Sequence, residues 1–364
     1  MILAYCIHSL HSSGGMERVL SLKASSLADM PGYEVHIITA RLKGRKPFFS
    51  LSEKVTLHDL GVSDHGAGRK FRRSLENCLK TIGADICISL CGGDVHVLGD
   101  LDDGSRKIAE YHFSHDKFFL KYGSNVLGRA YARLRTRKLE RSLAKLDALV
   151  VLTEEDCKVW SRLLGNVHQI YNPLTFKSEK RAELTSKRFI AAGRLEYQKN
   201  YPDMIRAWAI VAKRYPDWKL DIYGSGSDEK RLQRLIDTLG VASCVHLKGR
   251  TADIHSEMMN SSALLLSSRF EGFPMVLLEA QATGLPIVSY SCPCGPSEIV
   301  EDGVSGILVP PGDIKGLADG ICTLIGNPEV LSNYGKASYA AAGRFDKDCI
   351  MSKWDDLFRS ITYS

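Results

Sequence analysis

Two glutamates at a fixed spacing, Glu271 and Glu279, are the side chains of this sequence best placed to hold a polar ligand. They flank a turn, marked by Gly272 and Pro274, that leads into an apolar run beginning at Met275. A glycine turn followed by a helix N-terminus presents free backbone N–H groups and a partial positive charge, which suit phosphate and sugar oxygens. The segment therefore predicts a site for a polar, oxygen-rich ligand.

The surrounding sequence indicates which element carries each glutamate. Residues 263–268 read as a short buried strand, so Glu271 falls in the loop that follows. The helix from Met275 is expected to end at Gly284, since a proline follows two residues later, and Glu279 then lies on the helix. With a rise of about 1.5 Å per residue, the carboxylates lie up to roughly 12 Å apart, which is the reach of a nucleoside diphosphate joined to a sugar.

This segment resembles the E-x7-E signature of retaining glycosyltransferases of the GT-B fold, glycosyltransferase family 4. Other segments resemble the same family in the same order, and the resemblance runs through the whole C-terminal half. These segments are residues 191–195, 198–200, 222–226, 245–249, 298–300 and 303–309. The N-terminal half is similar in its pattern and at residues 14–18.

Apolar strand-like runs alternate with amphipathic helical stretches in both halves of the chain. The predicted strands are residues 2–8, 34–39, 55–60, 85–90, 107–112, 148–153, 189–192, 219–223, 245–248, 263–267, 287–290 and 306–309. Nearly continuous apolar strands between helices are typical of a mostly parallel sheet covered on both faces. The predicted fold class is therefore α/β, with two doubly wound, Rossmann-like domains.

We expect an N-terminal domain over residues 1–172 and a C-terminal domain over residues 173–344, with the linker near Asn172 and Pro173. The resemblance implies the GT-B arrangement, in which the two domains face each other across a central cleft. It also implies that the first domain binds the acceptor and the second the nucleotide sugar. A helix over residues 345–364 is expected to cross back to the first domain.

Arg194 and Lys199 follow a predicted strand through Gly193, so both can reach a diphosphate whose charge grows as the glycosidic bond breaks. The absence of an Asp-x-Asp sequence after a predicted strand favours metal-free catalysis, with these cations and helix dipoles in place of a metal ion. The resemblance implies that Glu279 holds the ribose hydroxyls and Glu271 the hydroxyls of the donor sugar. Further donor contacts are expected from Gly224, Gly249, Arg250, Gly272, Phe273, Pro274 and Met275.

In the first domain, Gly14 and Gly15 follow the first predicted strand and permit the close backbone approach that phosphate and sugar loops of a donor site require. His112 ends another predicted strand and resembles the active-site histidine of the family. In a retaining transfer, the acceptor hydroxyl attacks the face that the diphosphate leaves, and the departing phosphate can accept its proton. No side-chain nucleophile is obvious, which favours front-side substitution, although a covalent glycosyl-enzyme stays open.

Four basic residues recur at every fourth position of one predicted helix: Arg133, Arg137, Arg141 and Lys145. Like charges at this spacing destabilise an isolated helix by roughly 0.2–0.5 kcal/mol per pair, so an anionic partner would relieve them. Just upstream, Phe118 and Phe119 lie between lysines, as do the aromatics of residues 46–49, and this composition is typical of a membrane-surface anchor. We therefore expect docking on anionic lipid and a glycan acceptor linked to polyprenyl diphosphate.

Composition excludes several other classes of protein. The 364 residues carry 48 Lys and Arg against 42 Asp and Glu, an excess too mild to indicate nucleic acid. Ten scattered cysteines indicate reduced thiols, and a single Cys-Pro-Cys at 292–294 does not have zinc spacing, so neither a metal nor a cofactor is expected. The N-terminus reads as a strand rather than a signal peptide, and no apolar run is long enough to span a membrane. A cytoplasmic location, peripheral on the inner membrane face, is expected.

The sequence leaves the donor and the reaction partly open. A UDP-hexose or UDP-N-acetylhexosamine is favoured over GDP-mannose, although no hydrogen-bonding pattern for the base can be read near Gly249 and Arg250. A nucleotide-sugar epimerase, a glycosyl phosphorylase and a noncatalytic sugar-nucleotide-binding protein remain alternatives on the same fold. An NAD-dependent enzyme is disfavoured because no Gly-x-Gly-x-x-Gly follows the first strand.

Overall fold

The computed structural model describes residues 1–12, 14–62 and 68–362, and it divides the chain into two compact units. The first unit consists of Met1–Thr175 together with Lys347–Ser364, and the second unit is Phe176–Asp346. The last helix thus belongs to the same unit as the N-terminus, although the whole second unit separates them in sequence. This helix begins at Lys347, two residues after the expected position.

The first unit is a parallel sheet with helices on both of its faces. Its strands are β1 (Ile2–Ile7), β2 (Glu34–Thr39), β3 (Val55–Asp59), β4 (Ile86–Ser89), β5 (Arg106–Tyr111), β6 (Ala148–Val151) and β7 (Val167–Gln169). Its helices are α1 (Gly15–Asp29), α2 (Arg69–Ile82), α3 (Val95–Leu98), α4 (Lys117–Tyr122), α5 (Val126–Leu143), α6 (Glu154–Trp160) and α14 (Lys347–Thr362). The strand order is β3-β2-β1-β4-β5-β6-β7, and every pair is parallel.

Apolar side chains from alternate positions of the strands cover opposite faces of this sheet. Leu3 and Tyr5 of β1 pack in one core with α1 and α14, whereas Ala4 and Cys6 pack in another with α2. Because residues of a strand point alternately to opposite faces, a sheet covered on both sides requires a continuous apolar run, and β1 supplies one.

The second unit repeats this construction. Its strands are β8 (Arg188–Ala192), β9 (Lys219–Tyr223), β10 (Val245–Gly249), β11 (Ala263–Leu266), β12 (Ile287–Tyr290) and β13 (Gly306–Val309). Its helices are α7 (Tyr201–Arg214), α8 (Glu229–Thr238), α9 (Ile254–Met259), α10 (Met275–Ala282), α11 (Pro296–Ile299), α12 (Ile314–Gly326) and α13 (Pro328–Ala341), with 3-10 turns at Tyr197–Lys199 and Ala342–Phe345. All pairs in the order β10-β9-β8-β11-β12-β13 are parallel.

The predicted fold class of two doubly wound α/β domains is confirmed. Every predicted strand is present, with its ends within two residues of the expected ones. One strand, β7, was missed, because its three residues include the polar pair His168 and Gln169 and none of the three is fully buried. An edge strand of this length has no apolar run from which it could be recognised.

Candidate active site

Three glycine turns are hydrogen-bonded in series at the carboxyl ends of neighbouring strands in the second unit. The N–H of Gly193, after β8, donates to the carbonyl of Tyr223 in β9 at 2.9 Å, and the N–H of Gly224, after β9, donates to the carbonyl of Gly249 in β10 at 2.7 Å. A Cβ on Gly224 would lie 1.9 Å from the carbonyl oxygen of Gly193. Glycine at 224 is therefore required for this close packing of two loops, at the edge where ligands of open α/β sheets bind.

Lys199 and Glu271 meet at the same edge. The Lys199 ammonium lies 2.7 Å from Oε1 of Glu271, and the two side chains are only 16% and 6% exposed. Lys199 ends the 3-10 turn that follows β8, and Glu271 lies in the loop after β11, a neighbour of β8 in the sheet. The fold thus brings together two residues that the sequence analysis assigned separately to the diphosphate and to the sugar.

Polar contacts join the two loops that carry this pair. The Gln198 side-chain amide donates to the carbonyl of Phe270 at 3.0 Å, and the N–H of Arg269 donates to the carbonyl of Gln198 at 2.8 Å. The Arg269 guanidinium also donates to the side-chain oxygen of Asn200 at 2.7 Å. These contacts fix the positions of Lys199 and Glu271 through the backbone as well as through their own ion pair.

The two glutamates lie in the elements that the sequence predicted. Glu271 precedes the turn at Pro274, which is the N-cap of α10, and Glu279 lies inside that helix. Glu271 is 6% exposed and Glu279 is 5% exposed. Because an ionised glutamate is rarely buried, these two side chains differ from glutamates of a solvated helix face.

Packing fixes the turn between the glutamates. Phe273 and Pro274 are buried, whereas Gly272 and Met275 are partly exposed. Gly295 has a φ of +111°, and a Cβ there would lie 2.4 Å from Cδ of Pro274. The loop before α11 therefore rests on this turn, and a larger residue at 295 would displace the start of α10.

Arg194 and Arg250 lie at the solvent-exposed side of these loops. Arg194 is 67% exposed and lies 3.2 Å from the Glu196 carboxylate, so it does not join the buried pair. Arg250 is exposed as well, and its guanidinium donates to the hydroxyl of Ser225 at 2.7 Å. Two cations at a rim suit a ligand that carries more negative charge than a single buried lysine can balance.

The predicted residues of the first unit lie at the carboxyl ends of its strands. Gly14 is the N-cap of α1 and Gly15 its first residue, directly beyond the loop that follows β1. A Cβ on Gly14 would lie 2.2 Å from a carboxylate oxygen of Glu17, so a larger residue there would require this side chain to move. His112 follows the last residue of β5, and its side chain is 8% exposed, with Nε2 3.2 Å from Oε1 of Glu110.

A buried acid that was not predicted as a site residue lies beyond β4, the neighbour of the strand that precedes His112. Asp94 follows β4, the neighbour of β5, and is 5% exposed, with one carboxylate oxygen that has no hydrogen-bond partner among the described residues. Burial raises its pKa to about 6, although hydrogen bonds with Ser89 and with backbone N–H groups partly oppose this shift. The feature of the sequence that could have marked Asp94 is its position directly after two glycines, four residues beyond the predicted strand 85–90.

The four basic residues predicted on one helix, here called the basic stripe, differ from the prediction at their C-terminal end. Helix α5 ends at Leu143, so Arg133, Arg137 and Arg141 share the helix but Lys145 lies beyond it, paired with Asp100 at 2.7 Å. All four residues are exposed. Three of them, Arg137, Arg141 and Lys145, line a shallow cavity of about 240 Å³ together with Lys138, Ser142 and Leu134.

Of the aromatic residues expected at a membrane surface, Phe48 is 58% exposed, whereas Phe118 and Phe119 are not exposed. Phe118 and Phe119 are half-buried on α4, and Phe118 packs against the core beneath α5. Large exposed apolar side chains also lie on α5: Val126 (81% exposed), Leu127 (83%), Tyr131 (45%) and Leu134 (66%). They were missed because they are interspersed with arginines, without an aromatic pair to mark them. Within the described ranges, no helix is both long and apolar enough to cross a bilayer.

Comparisons with known proteins agree with this architecture. Residues 175–341, which cover nearly all of the second unit, match the family model described as glycosyl transferases group 1. An uncharacterized glycosyltransferase of Haemophilus influenzae is 29% identical over 361 residues, which cover 98% of this chain and 99% of that protein. The amylovoran biosynthesis glycosyltransferase AmsD of Erwinia amylovora is 28% identical over 371 residues, which cover 98% and 99% of the two chains.

A solved structure shares the fold at lower identity. The crystal structure of a TarM mutant of S. aureus in complex with fondaparinux, alpha-GlcNAc-glycerol and UDP has a TM-score of 0.82 at 15% identity, covering 98% of this chain and 99% of that one. The second unit therefore matches the group 1 glycosyl transferase model over nearly its whole length, and the chain is a glycosyltransferase. Its fold is that of the GT-B structures.

Proposed function

We propose that the chain is a retaining, family 4 enzyme that transfers a hexosyl or N-acetylhexosaminyl group from a UDP-sugar to a glycan hydroxyl in surface polysaccharide synthesis. The observation that carries the proposal is the buried Lys199–Glu271 pair beside the three glycine turns of the second unit. The UDP in the TarM complex and the role of AmsD in amylovoran biosynthesis support the choice of donor and pathway.

Lys199 can bind the diphosphate while its ion pair with Glu271 stays intact. An ammonium group has three N–H donors, and Glu271 engages it at a single contact of 2.7 Å, so two donors remain for phosphate oxygens. As the bond between C1 and the phosphate oxygen breaks, negative charge grows on the diphosphate, and a nearly buried cation stabilises that charge more than it stabilises the intact donor. Arg194 at the rim supplies a second cation without any metal ion.

The two glutamates can bind hydroxyl groups of one donor. Glu271 directs Oε1 to Lys199, and its other lone pairs can accept hydrogen bonds from the sugar. Glu279 lies on α10, about one turn after the first residue of the helix, Met275, and is assigned to the ribose hydroxyls. The N-terminus of α10, between them, adds a partial positive charge toward the diphosphate.

The transfer step needs no side-chain nucleophile. The acceptor oxygen forms its bond to C1 on the face from which the diphosphate departs, and the acceptor proton passes to the departing phosphate oxygen. The anomeric configuration is then retained in one displacement. His112 and the glycine turn at Gly14 and Gly15 of the first unit are assigned to the transferred sugar and the diphosphate.

The proposed acceptor is a lipid-linked glycan, and helix α5 of the first unit is assigned to contact with the anionic membrane that carries it. Helix α5 exposes Leu127 and Leu134 together with Arg137 and Arg141, so apolar and cationic groups share one element. Interfacial helices combine these two features, because apolar groups enter the headgroup boundary while cations attract anionic lipid. The cavity lined by Arg137, Arg141 and Lys145 is assigned to the diphosphate of the lipid carrier.

The proposal is tested by incubating the purified chain with UDP- and GDP-sugars, with and without a glycan acceptor, and analysing all products. A glycosyltransferase releases the nucleoside diphosphate and forms a new glycoside. An isomerised nucleotide sugar formed without acceptor would identify an epimerase. A sugar phosphate formed with inorganic phosphate would identify a phosphorylase. Binding of a nucleotide sugar without turnover would identify a noncatalytic protein.

A further inference from the structure

A charged network lies behind His112, inside the core of the first unit. The ammonium of Lys23, on α1, lies 2.5 Å from Oε2 of Glu110, on β5, and each side chain is only 1% exposed. The other carboxylate oxygen of Glu110 lies 3.2 Å from Nε2 of His112, although the ring N–H is not aligned for a regular hydrogen bond. One carboxylate thus connects a buried cation to a histidine at the carboxyl end of its own strand.

The C-terminal helix contributes to the same network. The Lys23 ammonium lies over the ring of Trp354 on α14, 3.7 Å from its centroid, and 5.8 Å from the ring of Tyr5 on β1. Cations are attracted to the faces of aromatic rings, most strongly where water is excluded. Three elements therefore fix the position of Lys23, and through it that of Glu110.

The electrostatics show that Glu110 stays ionised in spite of its burial. Burial alone raises the pKa of Glu110, but Lys23 and His112 outweigh it and lower the pKa to about 2. Burial also lowers the pKa of Lys23, and the nearby Glu110 opposes this shift. A fixed negative charge therefore faces one ring nitrogen of His112.

Stability does not explain why these charges are in the core. Removing two ions from water costs more than burying apolar side chains of the same size, and well-packed apolar replacements are often equally stable. A buried carboxylate beside a histidine has a recognised use, however, because it selects the ring nitrogen that carries the proton and fixes the orientation of the ring.

We propose that Glu110, itself held by Lys23 and Trp354, is a positioning residue that keeps the proton of His112 on Nε2 and directs Nδ1 toward the sugar. This inference rests on the proposed function, since it gives a purpose to the histidine assigned to the transferred sugar. Lys23 acts only through Glu110, and neither residue touches the substrate.

The test compares Glu110→Gln, Lys23→Met and the double variant with the full-length parent. Each single variant leaves an uncompensated buried group, so its melting temperature falls. The double variant removes both charges and regains most of the melting temperature, yet we expect its turnover to stay about 10- to 100-fold below the parent, the scale of loss found when a group that orients a metal-bound histidine is removed. UDP affinity, measured by calorimetry, stays within twofold of the parent. Parental turnover in the double variant would overturn the inference and show that the pair is only structural.

A second readout does not depend on activity. Nitrogen NMR of histidine-labelled protein, assigned with His112→Gln, reports which ring nitrogen of His112 carries the proton. We expect a single form protonated at Nε2 in the parent and a mixture of the two forms in the double variant. Identical His112 signals in both proteins would overturn the inference even if the parent transferred no sugar. A parent that shows the expected signals but turns over no nucleotide sugar would contradict the proposed function alone.

Discussion

The ammonium of Lys199 lies 2.7 Å from Oε1 of Glu271, a residue 72 positions later in the chain. Both groups come from loops at the carboxyl ends of adjacent parallel strands, β8 and β11, so the fold brings opposite charges together where a ligand can reach them. The ion pair fixes the position of the ammonium group that we propose to bind the diphosphate. Little reorganisation is then needed as charge develops on the leaving group.

Removing the cation of this pair should abolish most of the turnover. Lys199→Met retains much of the side-chain volume but cannot stabilise the departing diphosphate, so we expect turnover to fall by roughly 100-fold or more. Lys213→Met, at an exposed position of α7, is the matched control and should keep parental turnover. Initial rates of nucleoside diphosphate release measure both effects, with circular dichroism as a check on folding. A Lys199→Met protein that is folded and fully active would remove Lys199 from the reaction.

Loss of the second glutamate should weaken nucleotide binding rather than chemistry. Glu279→Ala removes the carboxylate assigned to the ribose, and hydrogen bonds to a charged group contribute about 1.5–3 kcal/mol, which corresponds to a roughly 10- to 150-fold higher Kd for UDP. Glu229→Ala on the exposed face of α8 removes an equal charge and should leave the Kd unchanged. Isothermal titration with UDP measures both variants. Equal UDP affinity in folded Glu279→Ala and parent would show that Glu279 does not bind the ribose.

Structural features set by residues close together in sequence could be predicted, whereas contacts between residues far apart in sequence could not. Local signals were sufficient for the strands and for the placement of Glu271 and Glu279, because Gly272 and Pro274 mark the turn and apolar runs mark the strands. The Lys199–Glu271 contact was not predictable, since it depends on β8 and β11 becoming neighbours. Sequence spacing carries no information about such tertiary pairing.

The buried network behind His112 was missed although it left a trace in the sequence. Lys23 lies on the apolar face of α1, with Leu20, Ala24 and Leu27, where a lysine can be buried only if it finds a partner. Glu110 interrupts the apolar run of β5 in the same way. Taken alone, each of these two charged side chains would be predicted to face solvent. Only the folded structure shows that Lys23 and Glu110 form an ion pair with each other.

Replacing the buried Asp94 with asparagine should raise the free energy of unfolding by an amount that depends on pH. Its folded pKa of about 6 lies above the ordinary value of 3.8, so its favourable contribution is complete below about pH 3.8 and is lost as the pH rises through 6. Asp94→Asn removes the buried charge, and at pH 8 it should raise the free energy of unfolding by up to about 3 kcal/mol, at 1.36 kcal/mol per pKa unit. The gain should disappear near pH 4. Urea unfolding of both proteins at the two pH values measures it, and an equal difference at both would contradict a raised pKa.

Charge reversal on α5 should reduce binding to anionic membranes. Arg137→Glu with Arg141→Glu replaces two cations of the basic stripe, and each basic residue near such a surface contributes about 1 kcal/mol, so we expect at least a tenfold loss of binding to vesicles of phosphatidylglycerol and phosphatidylcholine. Arg231→Glu with Arg234→Glu on α8 makes the same change in net charge on the second unit and should have little effect. Cosedimentation measures binding, and UDP affinity should not change. Equal loss in both double variants would mean that net charge alone, and not α5, controls binding.

The stereochemistry of the product tests the proposed reaction most directly. Purified protein is mixed in EDTA with α-linked UDP-hexoses and UDP-N-acetylhexosamines, and with alkyl glycosides as acceptors, and proton NMR follows the anomeric signals from the start of the reaction. We predict that one UDP-sugar is consumed, that UDP is released and that the new glycoside is α-linked, with the rate unaffected by the chelator. A β-linked product, or activity that needs added magnesium or manganese, would contradict a retaining, metal-independent transfer by Lys199, Arg194 and Glu271.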